Sequence, residues 1–187
     1  TGMGAGLILD GRLYRGTSGM AGEIGHVRME RFGPCGYGKA GSFEGFCSGG
    51  GIRQIGQTVA REKLQTGQTV GFCQSADDLD RITAKSIAEA AAGGDADAIR
   101  VYEICGEKLG QGLSVLIDVL NPEKIVIGSI YERSGALLKT SMEAAIEREA
   151  LAASRSVCRI VPAELGDSVG DFAAIVVAAD ALERSQK

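Results

Sequence analysis

The chain has 187 residues, 20 of them basic and 24 acidic, for a formal net charge of −4. That balance excludes a basic nucleic-acid footprint on this chain and leaves any such surface to a separate domain, while 44% apolar residues exclude global disorder. Aromatics are 5% with no Trp, so the core must rest on Ala, Leu, Ile and Val, and 28 glycines, about twice ordinary usage, require many tight turns or close backbone approaches.

In chain order, the glycine is concentrated in residues 1–51. The stretch Gly6-Leu-Ile-Leu-Asp-Gly-Arg-Leu-Tyr-Arg15 predicts two short strands around Asp10-Gly11, a dipeptide suited to a type I′ hairpin turn. Residues 16–51 are predicted to be loop-rich, and a long irregular region inside a domain is usually functional. From about Gly50 the pattern turns helical, over 52–63 and then 77–92, with Asp77 or Asp78 available as N-cap. The longest helical pattern covers 95–120, where Ala98, Val101, Ile104, Cys105, Leu109, Leu113, Leu116 and Leu120 recur at spacings of three and four. It should stop at Asn121-Pro122, because proline cannot continue the hydrogen-bond ladder. A short buried strand is expected at 124–128, a helix at 141–154, a strand at 157–162 and an apolar helix at 170–182. Strands alternating with helices in the second half indicate α/β architecture.

Three features can carry chemistry. Thr1-Gly-Met-Gly-Ala-Gly6 would expose backbone N–H groups to phosphate oxygens, or be simply the entry to the hairpin. Gly22-Glu-Ile-Gly-His26 holds the one histidine of the chain beside a carboxylate. Glu23 and His26 could converge on a small polar ligand, and the histidine could also ligate a metal or lie idle on a surface loop. The glycine-dense segment 33–51 surrounds a single carboxylate, Glu44, and reads as a ligand-lining loop or a flexible surface one. Phe43 and Phe46 flank Glu44 and should anchor the segment. The five cysteines, Cys35, Cys47, Cys73, Cys105 and Cys158, contain no C-x-x-C pair. They indicate neither a disulfide framework nor a zinc ribbon and fit a reducing, cytoplasmic setting. No apolar run approaches the roughly 20 residues of a membrane span, and no signal peptide is expected.

Taken in order, these features resemble the ROK proteins, a family of sugar kinases and sugar-responsive repressors, over nearly the whole chain. The Gly-rich hairpin from Gly2 and the Gly-Glu-Ile-Gly-His element ending at His26 are similar to the family's second signature at its spacing. Asn121-Pro-Glu-Lys-Ile-Val-Ile-Gly128 resembles the family's NPE-x-IVIGG strand, and residues 166–174 resemble its closing helix. The resemblance implies an actin-like ATPase fold of two RNase-H-like α/β lobes. This chain would be the C-terminal lobe, with residues 1–51 carrying the hairpin and sugar loops and 52–187 the α/β and helical part. The N-terminal lobe would precede Thr1, together with the Asp-x-Gly-x-Thr ATP loop and the general-base aspartate of an Asn-Asp-Ala-Asn-like segment, neither of which occurs in these residues. The chain alone is therefore expected to be inactive.

The resemblance further implies that Glu23, His26 and Glu44 bind sugar hydroxyls. Thr1, Gly2, Gly4 and Gly6 would face nucleotide phosphates, and Gly128 and Ser129 would lie near the adenosine. Where Ser129 stands, the family carries a second glycine. The family's zinc site uses the histidine and three cysteines of a Cys-x-Cys-x4-Cys-x-Glu motif. Here those positions read His26, Cys35, Tyr37 and Ser42, a two-donor remnant that should not hold structural zinc, which takes four. The implied protein is an ATP- and Mg²⁺-dependent kinase of a hexose or N-acylhexosamine. The alternative within the family is a non-catalytic sugar-sensing transcriptional regulator. The expected partners are a sugar, a nucleotide and other copies of the chain in a homo-oligomer, with no membrane and no nucleic acid through this lobe.

Overall fold

The computed structural model describes residues 2–168, 172, 175 and 176. The chain begins with an antiparallel hairpin, β1 (Leu7–Leu9) and β2 (Arg12–Tyr14), paired Leu7 to Tyr14. Its turn is the expected one: Asp10 and Gly11 both sit at positive φ, 50° and 73°, as a type I′ turn requires. A 3₁₀ turn, Ile24–His26, and a second small hairpin, β3 (Cys35–Gly36) with β4 (Lys39–Ala40), follow.

The loop expected up to Gly51 ends earlier, in helix. Ser42 caps α1 (Phe43–Cys47) by accepting the Gly45 N–H at 3.1 Å, and Ser48 caps α2 (Gly49–Gln65) by accepting that of Gly51 at 3.1 Å. Serine before a turn supplies the acceptor that the first free N–H groups need, and here it starts two helices in succession.

The single helix expected over 77–92 is two pieces. Ser75 starts a 3₁₀ segment, Ala76–Arg81, and Thr83 starts α3 (Ala84–Ala92), each through a capping box. The expected caps Asp77 and Asp78 lie inside the first piece, where the Asp78 carboxylate accepts from the Ser75 N–H at 3.0 Å. Helix α4 (Ala96–Leu120) matches its prediction, with Asp95 as N-cap and Asn121 as C-cap at φ 44°. The Asp95 carboxylate accepts from Ala98 N–H at 2.7 Å and from Gly71 N–H at 2.6 Å, so one side chain both starts the helix and ties down a preceding loop.

Beyond it run β5 (Lys124–Ile127), α5 (Ile130–Glu149), α6 (Ala152–Val157) and β6 (Arg159–Pro162). The strands pair in parallel, Lys124 with Arg159, so the helices between them make a β-α-β crossover. The helix expected at 141–154 starts eleven residues earlier, at Ile130, and is interrupted at Ala150–Leu151. Strand β5 is half exposed rather than buried, with Val126 58% accessible. Of the helix expected at 170–182 only residues 172, 175 and 176 are described, and these are helical.

The core is helical. Helices α4 and α5 pack most intimately, because Gly106 and Gly110 bring the α4 backbone against α5; a Cβ on Gly106 would stand 2.6 Å from the Leu138 carbonyl oxygen. Around them lie Ile52, Ile87, Val101, Tyr102, Leu138 and Met142, all at most 1% exposed. The buried Tyr102 hydroxyl donates to the Ala84 carbonyl at 2.8 Å. Among the described residues no helix is long and apolar enough to cross a membrane.

Candidate functional site

The site is assembled at the N-terminus of α1. Ser42 is fully buried, and its hydroxyl both accepts the Gly45 N–H and donates to the Gly36 carbonyl at 3.3 Å. The helix start therefore fixes β3, and it also presents Glu44 in the first turn. The Glu44 carboxylate accepts the Met3 N–H at 3.0 Å, joining α1 directly to the Gly-rich run. Among the described residues no other hydrogen bond to this carboxylate is found.

Close backbone packing holds the three segments together. A Cβ on Gly25 would stand 2.5 Å from the Met3 carbonyl oxygen and 3.3 Å from Glu44 Cβ. On Gly36 it would stand 2.5 Å from the Gly45 nitrogen and 2.9 Å from Glu44 Cβ. These two glycines are needed for approach rather than for backbone freedom. The Ala5 N–H donates to the Gly22 carbonyl at 3.0 Å and that of Phe43 to Val27 at 2.8 Å, so the Gly-rich run, the Gly-Glu-Ile-Gly-His element and α1 form one cluster.

Within the cluster, Glu44 is half-buried while Glu23 and His26 are exposed at the two ends of the 3₁₀ turn. The His26 ring meets Tyr37 edge-on, with centroids 6.3 Å apart and planes at 80°. Lys39 Nζ donates to the His26 carbonyl at 2.7 Å, tying the second hairpin to the 3₁₀ turn. The arrangement is open, with two carboxylates and an imidazole carried on neighbouring segments.

Gly2 lies against Glu44, its notional Cβ 3.3 Å from Oε2, whereas beside Gly4 and Gly6 there is open space. Thr1 lies outside the described residues. Gly128 and Ser129 stand at the C-terminal end of β5. Ser129 has φ 55° and ψ −107°, its N–H donates to Glu132 Oε2 at 2.7 Å, and its Oγ accepts from Arg133 at 3.1 Å. No hydrogen bond joins this corner to Gly2–Gly6 among the described residues.

The four positions His26, Cys35, Tyr37 and Ser42 do not fit a structural zinc ion. Only two offer nitrogen or sulfur, the Ser42 hydroxyl is committed on both sides, and Tyr37 is 88% exposed. No group of three or more His, Cys, Asp or Glu suited to a metal ion exists among the described residues. Two contributors went unread in the sequence, Lys39 and Gln54. The Gln54 carboxamide bonds the main chain of Cys35 in both directions, at 2.8 and 2.9 Å. Both contacts are to backbone atoms, for which side-chain spacing carries no signal.

The ROK family profile matches residues 1–181. The DNA-binding transcriptional dual regulator NagC of Escherichia coli K12 is 34% identical over 177 residues, covering 93% of this chain and 41% of the regulator. A glucokinase of Halalkalibacterium halodurans is 34% identical over 175 residues, 91% of this chain and 51% of the enzyme. The crystal structure of a Streptomyces griseus ROK glucokinase in complex with glucose and AMPPNP superposes with a TM-score of 0.75 at 28% identity, over 91% of this chain and 55% of that one. The chain thus spans about half or less of the length of these relatives. It belongs to the ROK family.

Proposed function

We propose that this chain is the sugar-binding C-terminal lobe of an actin-like, ATP-dependent sugar kinase that phosphorylates a hexose or an N-acylhexosamine. The observation that carries the reading is the Met3–Glu44 hydrogen bond of 3.0 Å, because it couples the proposed sugar carboxylate to the proposed phosphate-facing run. Glucose and AMPPNP are bound together in the glucokinase that shares this fold, which supports a cleft serving both ligands.

Glu23, His26 and Glu44 orient the sugar ring by accepting from, or donating to, its hydroxyls. A site built on such contacts discriminates strongly, since a mismatched sugar leaves a buried polar group unpaired. The N–H groups of Gly2, Gly4 and Gly6 face the phosphates, with Thr1 beside them, and Gly128 and Ser129 adjoin the adenosine. ATP with Mg²⁺ supplies the phosphoryl group and the charge neutralisation its transfer needs. The base that takes the sugar hydroxyl proton is an aspartate outside these residues, so the lobe alone is inactive. No zinc takes part. The reading places the protein in the cytoplasm as a homo-oligomer, and exposed Val115 and Val119 on α4, 55% and 74% accessible, support self-association.

A second reading, a sugar-sensing regulator with a separate DNA-binding domain, is favoured by the equal 34% identity to NagC. ADP release by the full-length protein, with ATP, Mg²⁺ and a panel of hexoses and N-acetylhexosamines, separates the two. Turnover with one sugar, abolished by Glu23→Ala, is the kinase result. No turnover, with sugar-dependent thermal stabilisation, is the sensor result.

A further inference from the structure

We propose that Gln54 is the positioning residue of the sugar site, and that its carboxamide holds the 26–44 segment by hydrogen bonding where four metal-ligating side chains would otherwise be needed. This inference rests on the sugar-site reading above. Gln54 lies on α2, a helix anchored in the core through Ile52 and Ile55, which are 0% and 6% exposed. Its Oε1 accepts the Cys35 N–H at 2.8 Å and its Nε2 donates to the Cys35 carbonyl at 2.9 Å. The pair of bonds is the one an antiparallel strand partner would make, so the side chain acts as a one-residue strand placed on β3 from a rigid helix.

From Cys35 the restraint passes to the functional side chains by contacts already described. Gly36 packs under Glu44 Cβ and accepts from Ser42. Gly36 also pairs with Lys39, whose ammonium group holds the His26 carbonyl. Arg28 closes the far side by donating to the Ala40 carbonyl at 2.6 Å. Each of the side-chain hydrogen bonds named has a main-chain atom as its other partner, and none uses the thiol of Cys35, which is exposed and free. Ser42 explains the substitution in the same terms: a hydroxyl can cap α1 and bind Gly36 at once, which a metal-bound thiolate could not.

The test follows amide hydrogen exchange and ligand binding in the full-length protein for wild type, Gln54→Ala and Cys35→Ser. Alanine is compatible with helix and removes both bonds. Exchange at the Cys35 and Gly36 amides should rise about tenfold or more in Gln54→Ala, while amides in the α4 core keep their protection. Cys35→Ser, and treatment of the wild type with a zinc chelator, should leave loop exchange unchanged. For the sugar found in the panel above, Gln54→Ala should raise the dissociation constant about tenfold without changing that for ATP, a split that general destabilisation would not produce. Unchanged loop exchange in Gln54→Ala overturns the proposal, and so does faster exchange on chelation or in Cys35→Ser. If the wild type binds no sugar, the functional reading fails by itself, and the exchange data still decide whether Gln54 holds the loop.

Discussion

Residues 2–42 and residues 43–150 are built on different principles. Among the described residues, every buried hydrophobic side chain lies between Phe43 and Ala150. The earlier segment offers the core only the half-buried Met3, Ile24 and Met29, and its hairpin leaves Ile8 and Tyr14 65% and 51% exposed. It is held instead by main-chain hydrogen bonds, glycine contacts and the polar side chains of Ser42, Gln54, Arg28 and Lys39. Apolar burial gives the helical body its stability, while a segment with few apolar contacts belongs to the low-stability end of a fold. Glu23 and His26 sit on that second kind of structure, and Glu44 stands at the seam between the two. Stability and ligand recognition should therefore respond to different substitutions.

The largest effect is expected in the body. Leu138→Ala, at a side chain 0% exposed between α4 and α5, should cost about 2–5 kcal/mol of unfolding free energy in urea titration, with sugar affinity unchanged while the protein stays folded. A loss of affinity at temperatures where the protein is folded would erase the distinction. Next comes Gly36→Ala. Its Cβ would meet the Gly45 nitrogen at 2.5 Å, and the resulting displacement of α1 should weaken sugar binding by up to about a hundredfold, with a smaller loss of unfolding free energy than Leu138→Ala causes. An unaltered affinity would mean that Glu44 is not positioned from β3.

The smallest effect sharpens the boundary chemically. Burial pushes the thiols of Cys47 and Cys73 above the ordinary cysteine range, so at mildly alkaline pH they remain protonated and unreactive. Exposed Cys35 should be labelled by a disulfide reagent well before either of them, and raising the pH should bring Cys73 and Cys47 in only as their thiolates form. Equal labelling rates near pH 8 would show that the body opens as readily as the loop.

What could be read in the sequence follows the same division. The β1–β2 turn was legible because Asp10-Gly11 can take two consecutive positive φ values, and α4 because Asp95 is followed by apolar residues at helical spacing. Helix α1 was missed because five residues are too few for a period, although Ser42 and Ser48 both had the chemistry of caps. The break between Arg81 and Ala84 was hidden because Ser75 and Thr83 each begin a new turn within one apolar pattern. Strand β5 reads as an unbroken apolar run, the pattern of a strand covered on both faces, yet among the described residues it pairs with β6 alone and leaves Val126 open. At the proposed site, Glu23, His26 and Glu44 stand out in the sequence by residue type. The contacts that arrange them, Met3 N–H to Glu44 and Gln54 to the Cys35 main chain, join positions 41 and 19 residues apart and use backbone atoms that every residue possesses.

The most direct measurement is a calorimetric titration of glucose and N-acetylglucosamine into the full-length protein and its Glu44→Ala variant. The account predicts that one of these sugars binds and that the variant weakens it by about tenfold to a hundredfold, the loss expected when a charged acceptor is removed. Equal affinity in the two proteins would show that Glu44 does not hold the sugar and would contradict the account.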